Sequence, residues 1–276
     1  MEILKVEGIV IDEKPFGETS KILNIITKEK GLVGVLAKGA KRLKSPLRSV
    51  SERFCYANFN ISYKEDKLST LISADIINPL RNIKKDIKKV SYLNFLSELT
   101  EGVIKESNEI KIYDIYLAAI LKIEEGYDPM VISNILELKY LSFLGAKPKL
   151  NGCVICGKEN VTTISAYKGG FVCKDHSLNE YIVSEKTIKL IKVLEYVDIS
   201  KISKLDVSDI VKKEINSFLD DYYDRYTGLY LKSKKFLKTL DNLWYNTYIK
   251  KSDDWLGNQE LYKLSDSSRI NRVEPW

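Results

Sequence analysis

Histidine is almost missing from this chain: 276 residues hold one, His176. A Ser-His or Cys-His catalytic pair needs that one residue, and the spacing discussed below claims it for another purpose. There are only four cysteines, too few for a disulfide scaffold. The longest run without a charge, Phe54 to Tyr63, is ten residues, where a membrane helix needs about 18 or more. Met1 to Lys5 alternates apolar and charged residues with no basic stretch leading into an apolar one. We therefore expect neither a secreted precursor nor a membrane protein, but a chain working in a reducing cytoplasm. The phosphate-binding patterns G-x-x-x-x-G-K-[ST] and G-x-G-x-x-G and the nucleophile elbow G-x-S-x-G do not occur. Acid pairs such as Asp220-Asp221 and Asp253-Asp254 stand among other helix or tail charges and read as solvated surface. No carboxylate cluster suggests a nuclease, and an enzyme is not expected.

What is present divides by pattern. The length corresponds to about two domains. Over the first eighty residues, short runs rich in Val, Ile, Leu and aromatics are punctuated by Gly, Pro and Asn, which predicts strands at Ile3–Ile11, Lys21–Thr27, Leu32–Lys38, Phe54–Tyr63 and Leu68–Ile77. A break is expected at Pro15-Phe16-Gly17. Five strands in so short a span fit a small, partly open barrel of the OB type, with an SH3-like barrel as the alternative.

After Pro79 the period changes to 3.6 residues, with Ile83, Ile87, Val90, Leu93 and Leu96 on one face. Further helices are predicted over 109–124, 129–144, 185–196 and 207–226. Asp128 and Pro129 start one of them and Ser184 another, while Ile210, Ile215, Phe218 and Tyr222 form a stripe on the last. Core packing is the plain reading of every such stripe. The fold class expected is α+β: a barrel domain over 1–80, an all-α domain over 81–250 with an inserted module at 147–181, and a mobile polar tail over 251–276.

The insert carries its own organiser. Cys153-Val154-Ile155-Cys156 is a C-x2-C knuckle, and sixteen residues later Cys173-Lys174-Asp175-His176 is a C-x2-H knuckle. A two-residue gap lets both side chains of a tight turn face one ion, so Cys153, Cys156, Cys173 and His176 make a tetrahedral set suited to zinc. With all four positions taken by protein, the zinc should be structural, since a catalytic site keeps one open for water. Cys55 lies inside a predicted strand and reads as an ordinary buried thiol.

The net charge of +6 is mild, but it is unevenly spread. Between Glu29 and Glu52 there are six basic residues and no acid. Lys38, Lys41, Arg42, Lys44 and Arg48 fall in a loop with Gly39 and Pro46, where small residues keep the backbone low and the cations project. That arrangement suits tracking phosphates more than reading base edges. A solvated loop with no ligand is the alternative; the OB-type strands around it favour nucleic acid, and Phe16, Phe54, Tyr56 and Tyr63 could offer stacking surfaces, at least half of them being expected in the core.

Several short stretches, taken in order, are similar to those of a known family: Val6-Glu7-Gly8-Ile9-Val10-Ile11, Gly17-Glu18-Thr19-Ser20-Lys21-Ile22-Leu23, Lys38-Gly39-Ala40-Lys41-Arg42, Asn78-Pro79-Leu80, and Gly145 to Pro148 leading into the first knuckle. Over about residues 1 to 245 the chain resembles the bacterial RecO recombination mediators. The resemblance implies an OB-fold domain, a helical domain with a zinc module, and binding of single- and double-stranded DNA. It also implies annealing of complementary strands and help in loading RecA onto DNA covered by single-stranded-DNA-binding protein, in a cytoplasmic, nucleoid-associated setting. The implied partners are RecR and the acidic C-terminal tail of the single-stranded-DNA-binding protein, and the implied DNA contacts are Lys38, Lys41, Arg42, Lys44 and Arg48. His176 departs from the four-cysteine sets common in that family. A zinc-stabilised protein adaptor with incidental DNA binding is the other function these features allow.

Overall fold

In a computed structural model of the chain, the described residues are 2–107, 109 and 111–240; the predicted tail over 251–276 and the end of the helical domain lie outside them. The chain divides into two compact units, Met1–Leu231 and Lys232–Trp276. Of the second, residues 232–240 are helical.

The first unit begins with five strands, β1 (Glu2–Phe16), β2 (Ser20–Thr27), β3 (Gly31–Ala37), β4 (Tyr56–Tyr63) and β5 (Ser69–Asn78). They close into a barrel in the order β1-β2-β3-β5-β4, with β4 returning to β1. All pairings are antiparallel except the short parallel contact of β3 with β5 at Val35↔Ser69 and Leu36↔Thr70. This connectivity is the OB type. Alternate residues point inward, and Val6, Val10, Leu23, Ile25, Val35, Phe59 and Ile61 fill the interior.

β1 serves both neighbours: Glu2–Ile9 pair with β4 and Gly8–Phe16 with β2, and a bulge between Val10 and Asp12 bends the strand from one partner to the other. At the overlap, Gly8 packs so closely that a Cβ would stand 2.8 Å from the Ile26 carbonyl oxygen. The break expected at Pro15-Phe16-Gly17 is thus displaced, because the strand continues to Phe16 and turns at Gly17. Pro15 is tolerated because this half of β1 has one partner strand only.

Beyond the barrel, α2 (Arg81–Lys84) is a single turn, followed by α3 (Ile87–Glu106), α4 (Lys111–Glu125) and α5 (Pro129–Phe143). The continuous stripe expected from Ile83 to Leu96 is interrupted: the Asp86 carboxylate accepts from the backbone N–H groups of Lys88 and Lys89 and starts a new helix, leaving Ile87 59% exposed. α5 is buried nearly all round and forms the centre of the helical layer. Between it and α6 (Glu185–Tyr196) lies the insert, with the two short strands β6 (Thr163–Ser165) and β7 (Gly170–Val172). α7 (Asp209–Tyr226) packs on α5 and α6. Its buried stripe is Val211, Ile215, Phe218 and Tyr222; Ile210, expected inside, faces out.

Barrel and helices meet through polar groups as well as packing. Glu7 accepts hydrogen bonds from Tyr56 (2.6 Å) and from Tyr113 of α4 (3.3 Å). Burial, then the neighbouring Glu7 carboxylate, hold the Tyr113 hydroxyl well above the ordinary tyrosine range.

Asp128 does two jobs. One carboxylate oxygen caps α5 at the Met130 N–H (2.9 Å) and the other accepts from Lys212 of α7 (2.7 Å). Asp128→Ala, which removes both, is expected to cost about 1–2 kcal/mol. Asp128→Asn keeps the cap and is expected to cost less than about 1 kcal/mol. Urea unfolding of the two variants checks the order.

Candidate nucleic-acid interface and metal centre

The β3–β4 connection, residues 38–55, is held at several points. At its start Gly39 adopts φ 69°, where a side chain would be strained. The Gly39 N–H donates to Ser20 Oγ (3.2 Å) and the Lys41 N–H to the Thr19 carbonyl (2.8 Å), tying the loop to the β1–β2 turn. Ala40 is fully buried in the barrel core, and Leu47 and Val50 of the short α1 (Leu47–Val50) pack against it. The buried Ser51 hydroxyl donates to the Arg48 carbonyl (3.1 Å), and the Phe54 N–H to the Val10 carbonyl (2.7 Å).

Between these anchors Lys38, Lys41, Arg42, Lys44 and Arg48 are all exposed. The Arg42 side chain lies over Gly39, at 3.7 Å from where a Cβ would stand. Among the described residues none of the five has a carboxylate within ion-pair distance. They remain five uncompensated positive charges on a fixed backbone. Of the four aromatics singled out, Phe54 and Tyr56 are buried, and Tyr63 is half-buried beneath the Lys30 ammonium (5.1 Å). Phe16, half exposed, stands at the same rim as the loop. Leu43, 85% exposed between Arg42 and Lys44, was not singled out from sequence because an exposed leucine has no local signature. Cys55 is buried as expected. Burial pushes its thiol up to about 11, partly countered by the field of Lys84 and reinforced by Glu52.

The insert brings Cys153, Cys156, Cys173 and His176 together, their ligand atoms all within 4.8 Å of one another. Cys156 Sγ lies 3.7 Å from Cys173 Sγ, and His176 Nδ1 lies 3.7 Å from Cys153 Sγ and 3.3 Å from Cys173 Sγ. A tetrahedral ion bound at about 2.3 Å from sulfur and 2.0–2.1 Å from nitrogen would set its edges at about 3.6–3.8 Å; the two 3.7 Å distances meet this, and the edge between His176 and Cys173 is shorter. The four residues could therefore hold a metal ion. Burial raises the Cys153 thiol, but N–H groups of Cys156, Cys173 and Ile155 aimed at the sulfur outweigh it and bring it down to about 5. Burial, with the neighbouring thiols of Cys156 and Cys153, instead raises Cys173.

The knuckles rest on a framework that the sequence spacing did not disclose. Lys149 pairs in parallel with Gly170, donating to Gly169 O (3.0 Å) and accepting from the Phe171 N–H (3.0 Å). Gly170 has φ 152°, and a Cβ there would run into the Lys149 backbone. Lys168 donates to the His176 carbonyl (2.7 Å) and pairs with Glu180 (3.1 Å), while Lys158 bridges to Asp175 (2.7 Å). Among the described residues, the apolar cluster around the buried thiols of Cys153 and Cys173 is small: Val172, with the half-buried Val154 and Val161. So small a core supplies little folding energy of its own, and an ion held by the four residues would add to it.

The module is moored to the helices by Glu214 of α7. Its carboxylate accepts from the Ser184 N–H (3.1 Å), Tyr181 OH (3.2 Å) and the Thr187 hydroxyl. Tyr226 adds a bond to the Tyr167 carbonyl (3.2 Å).

A five-stranded OB-type barrel with a basic rim, joined to helices that carry a Cys3His centre, is the class these features define. The family model described as "Recombination protein O N terminal" matches residues 1–80, and "Recombination protein O C terminal" matches residues 84–235. Relatives named "DNA repair protein RecO" include one from Bacillus pumilus, 36% identical over 87% of this chain and 96% of its own length. One from Bacillus subtilis is 32% identical over the same shares, and one from Bacillus cereus is 37% identical over 86% of this chain and 97% of its own length. The chain belongs to the RecO family.

Two outcomes test the module. Gly170→Ala is expected to cost about 1–3 kcal/mol through backbone strain and to lower bound metal, measured by elemental analysis, along with the melting temperature. Glu214 has a second signature. Burial would raise its carboxyl, but the hydrogen bonds from Thr187, Ser184 and Tyr181 prevail and hold it below the usual glutamate value. Its stabilisation is present above the unfolded glutamate pKa and is lost as pH falls through the lower folded value. Glu214→Gln should flatten the stability profile across that acidic window while changing it little in shape near neutrality.

Proposed function

We propose that this protein is a non-enzymatic mediator of DNA repair and recombination. It binds single- and double-stranded DNA through Lys38, Lys41, Arg42, Lys44 and Arg48, anneals complementary strands, and helps load RecA onto DNA covered by single-stranded-DNA-binding protein. The observation that carries this reading is the set of five exposed cations, without carboxylate partners among the described residues, on a fixed rim of an OB-type barrel. Membership of the family and the names of its relatives support it. Each phosphate neutralised releases counterions, so affinity arises without base contacts and is independent of sequence. Annealing needs no reacting group: cations offset repulsion between two polyanions, and base pairing supplies the energy.

In this reading the ion held by Cys153, Cys156, Cys173 and His176 is zinc with a structural role, and the chain's single histidine is committed to it. The barrel over 1–80 and the helical part over 81–250, with its module at 147–181, act as two domains. RecR and the acidic tail of the single-stranded-DNA-binding protein are the partners, and the setting is the cytoplasm at the nucleoid. Among the described residues no helix is long and apolar enough to cross a membrane.

Replacing Lys41, Arg42 and Lys44 together by Glu tests the site. Single-strand affinity at moderate salt should fall by roughly tenfold or more, and the slope of log affinity against log salt should shrink by about 2, some 0.7 per lost phosphate contact. Unchanged affinity and slope, measured by fluorescence anisotropy, would move the DNA site elsewhere.

A further inference from the structure

A second group of cations follows the barrel. Arg81, Lys84, Lys85, Lys88 and Lys89 fall within nine residues that contain one acid, Asp86. That carboxylate is engaged with backbone, accepting from the N–H groups of Lys88 (2.8 Å) and Lys89 (3.2 Å). Glu124, which reaches the start of α2, is likewise engaged with the N–H groups of Asn82 (3.0 Å) and Ile83 (2.8 Å). Asp209 is close enough to feel Lys88 but is bonded to Lys212 at 2.7 Å. Among the described residues none of the five cations has a carboxylate within ion-pair distance. Arg81, Lys84 and Lys85 are exposed, and Lys88 and Lys89 are half-buried.

The construction parallels that of the loop. Ile83 is fully buried and anchors the turn, as Ala40 anchors the loop, while Ile87 is 59% exposed among its cations, as Leu43 is among its own. Position relates the two groups. β1, β3 and β5 run in one direction and β2 and β4 in the other, so the 17–19 turn, the 38–55 connection and the exit from Asn78 all leave by one rim of the barrel. α1, which carries Arg48, packs against β5, and the charge of Lys84 reaches Cys55 at the end of the same connection.

Resting on the reading above, we propose that Arg81, Lys84, Lys85, Lys88 and Lys89 form a second phosphate-binding surface, which takes the second strand while the loop holds the first. Two complementary strands repel along their whole length. Cation surfaces on separate elements of one rim neutralise each backbone in place and leave the base edges free to meet.

The test uses the full chain with Lys84, Lys85, Lys88 and Lys89 all replaced by Gln, and a companion with all four replaced by Arg. The probes are a labelled oligothymidylate of about 12 nucleotides, within the span of one barrel, and a pair of longer complementary strands. The glutamine variant should bind the short oligomer within about twofold of wild type yet anneal the pair about tenfold more slowly, and the arginine variant should anneal like wild type. Wild-type annealing by the glutamine variant overturns the second surface and leaves the loop reading standing. A parallel fall of oligomer binding and annealing means one continuous track and overturns the assignment of two strands. An arginine variant that melts like wild type but anneals slowly overturns a role through charge. A wild-type protein that binds neither probe overturns the proposed function itself, and the second surface with it.

Discussion

Five like charges within eleven residues repel one another, and the loop that carries them keeps one shape because Ala40, Leu47 and Val50 are held by the apolar interior of the barrel, with backbone hydrogen bonds at its ends. Burial of that kind, at about 25 cal/mol per Å² of apolar surface, exceeds the screened repulsion between solvated ammonium and guanidinium groups. The barrel is therefore more than a platform. Its closure through β1, shared between β2 and β4, makes the apolar core that Ala40 and Val50 join, and bonds from Gly39 and Lys41 to Ser20 and Thr19 set the height at which the cations stand.

The metal-ligating insert meets the opposite problem. It has almost no interior of its own, so its order comes from directed bonds: the Lys149–Gly170 bridge, the Lys168 and Lys158 contacts around the knuckles, and the Glu214 clasp to α6 and α7. Hydrophobic closure shapes one end of the first unit, and polar bonds around a Cys3His cluster that could hold a metal ion shape this module.

How much of this could be read from the chain depends on the range of the interaction. Strand positions and most helix starts followed from local pattern, as at Asp128-Pro129 and Ser184, where cap and first turn are adjacent in sequence. The clustering of Cys153, Cys156, Cys173 and His176 was legible because each pair lies within one tight turn. Misreadings came where a distant partner decides. Pro15 looks like a break until the pairing shows that its half of β1 has one neighbour. Ile210 gives its buried place to Val211 where α7 packs on α5 and α6. Asp86 is the exception: its cap binds N–H groups only two and three residues on, a local signal that the apolar period from Ile83 masked. The loop's charge could be seen, but its anchors could not, since nothing local marks Ala40 as core.

Leu80 joins barrel to helices in a left-handed conformation, φ 49° and ψ 50°, with its side chain fully buried and its N–H donating to Asn78 Oδ1 (2.9 Å). A glycine would relax the backbone but leave a hole, and any other bulky residue would keep the torsion while changing the fit. The elbow thus sets the heading of α2 through a single residue's dihedral angles, which makes this junction intolerant of insertion or deletion even though it lies in a short connection between two folded parts.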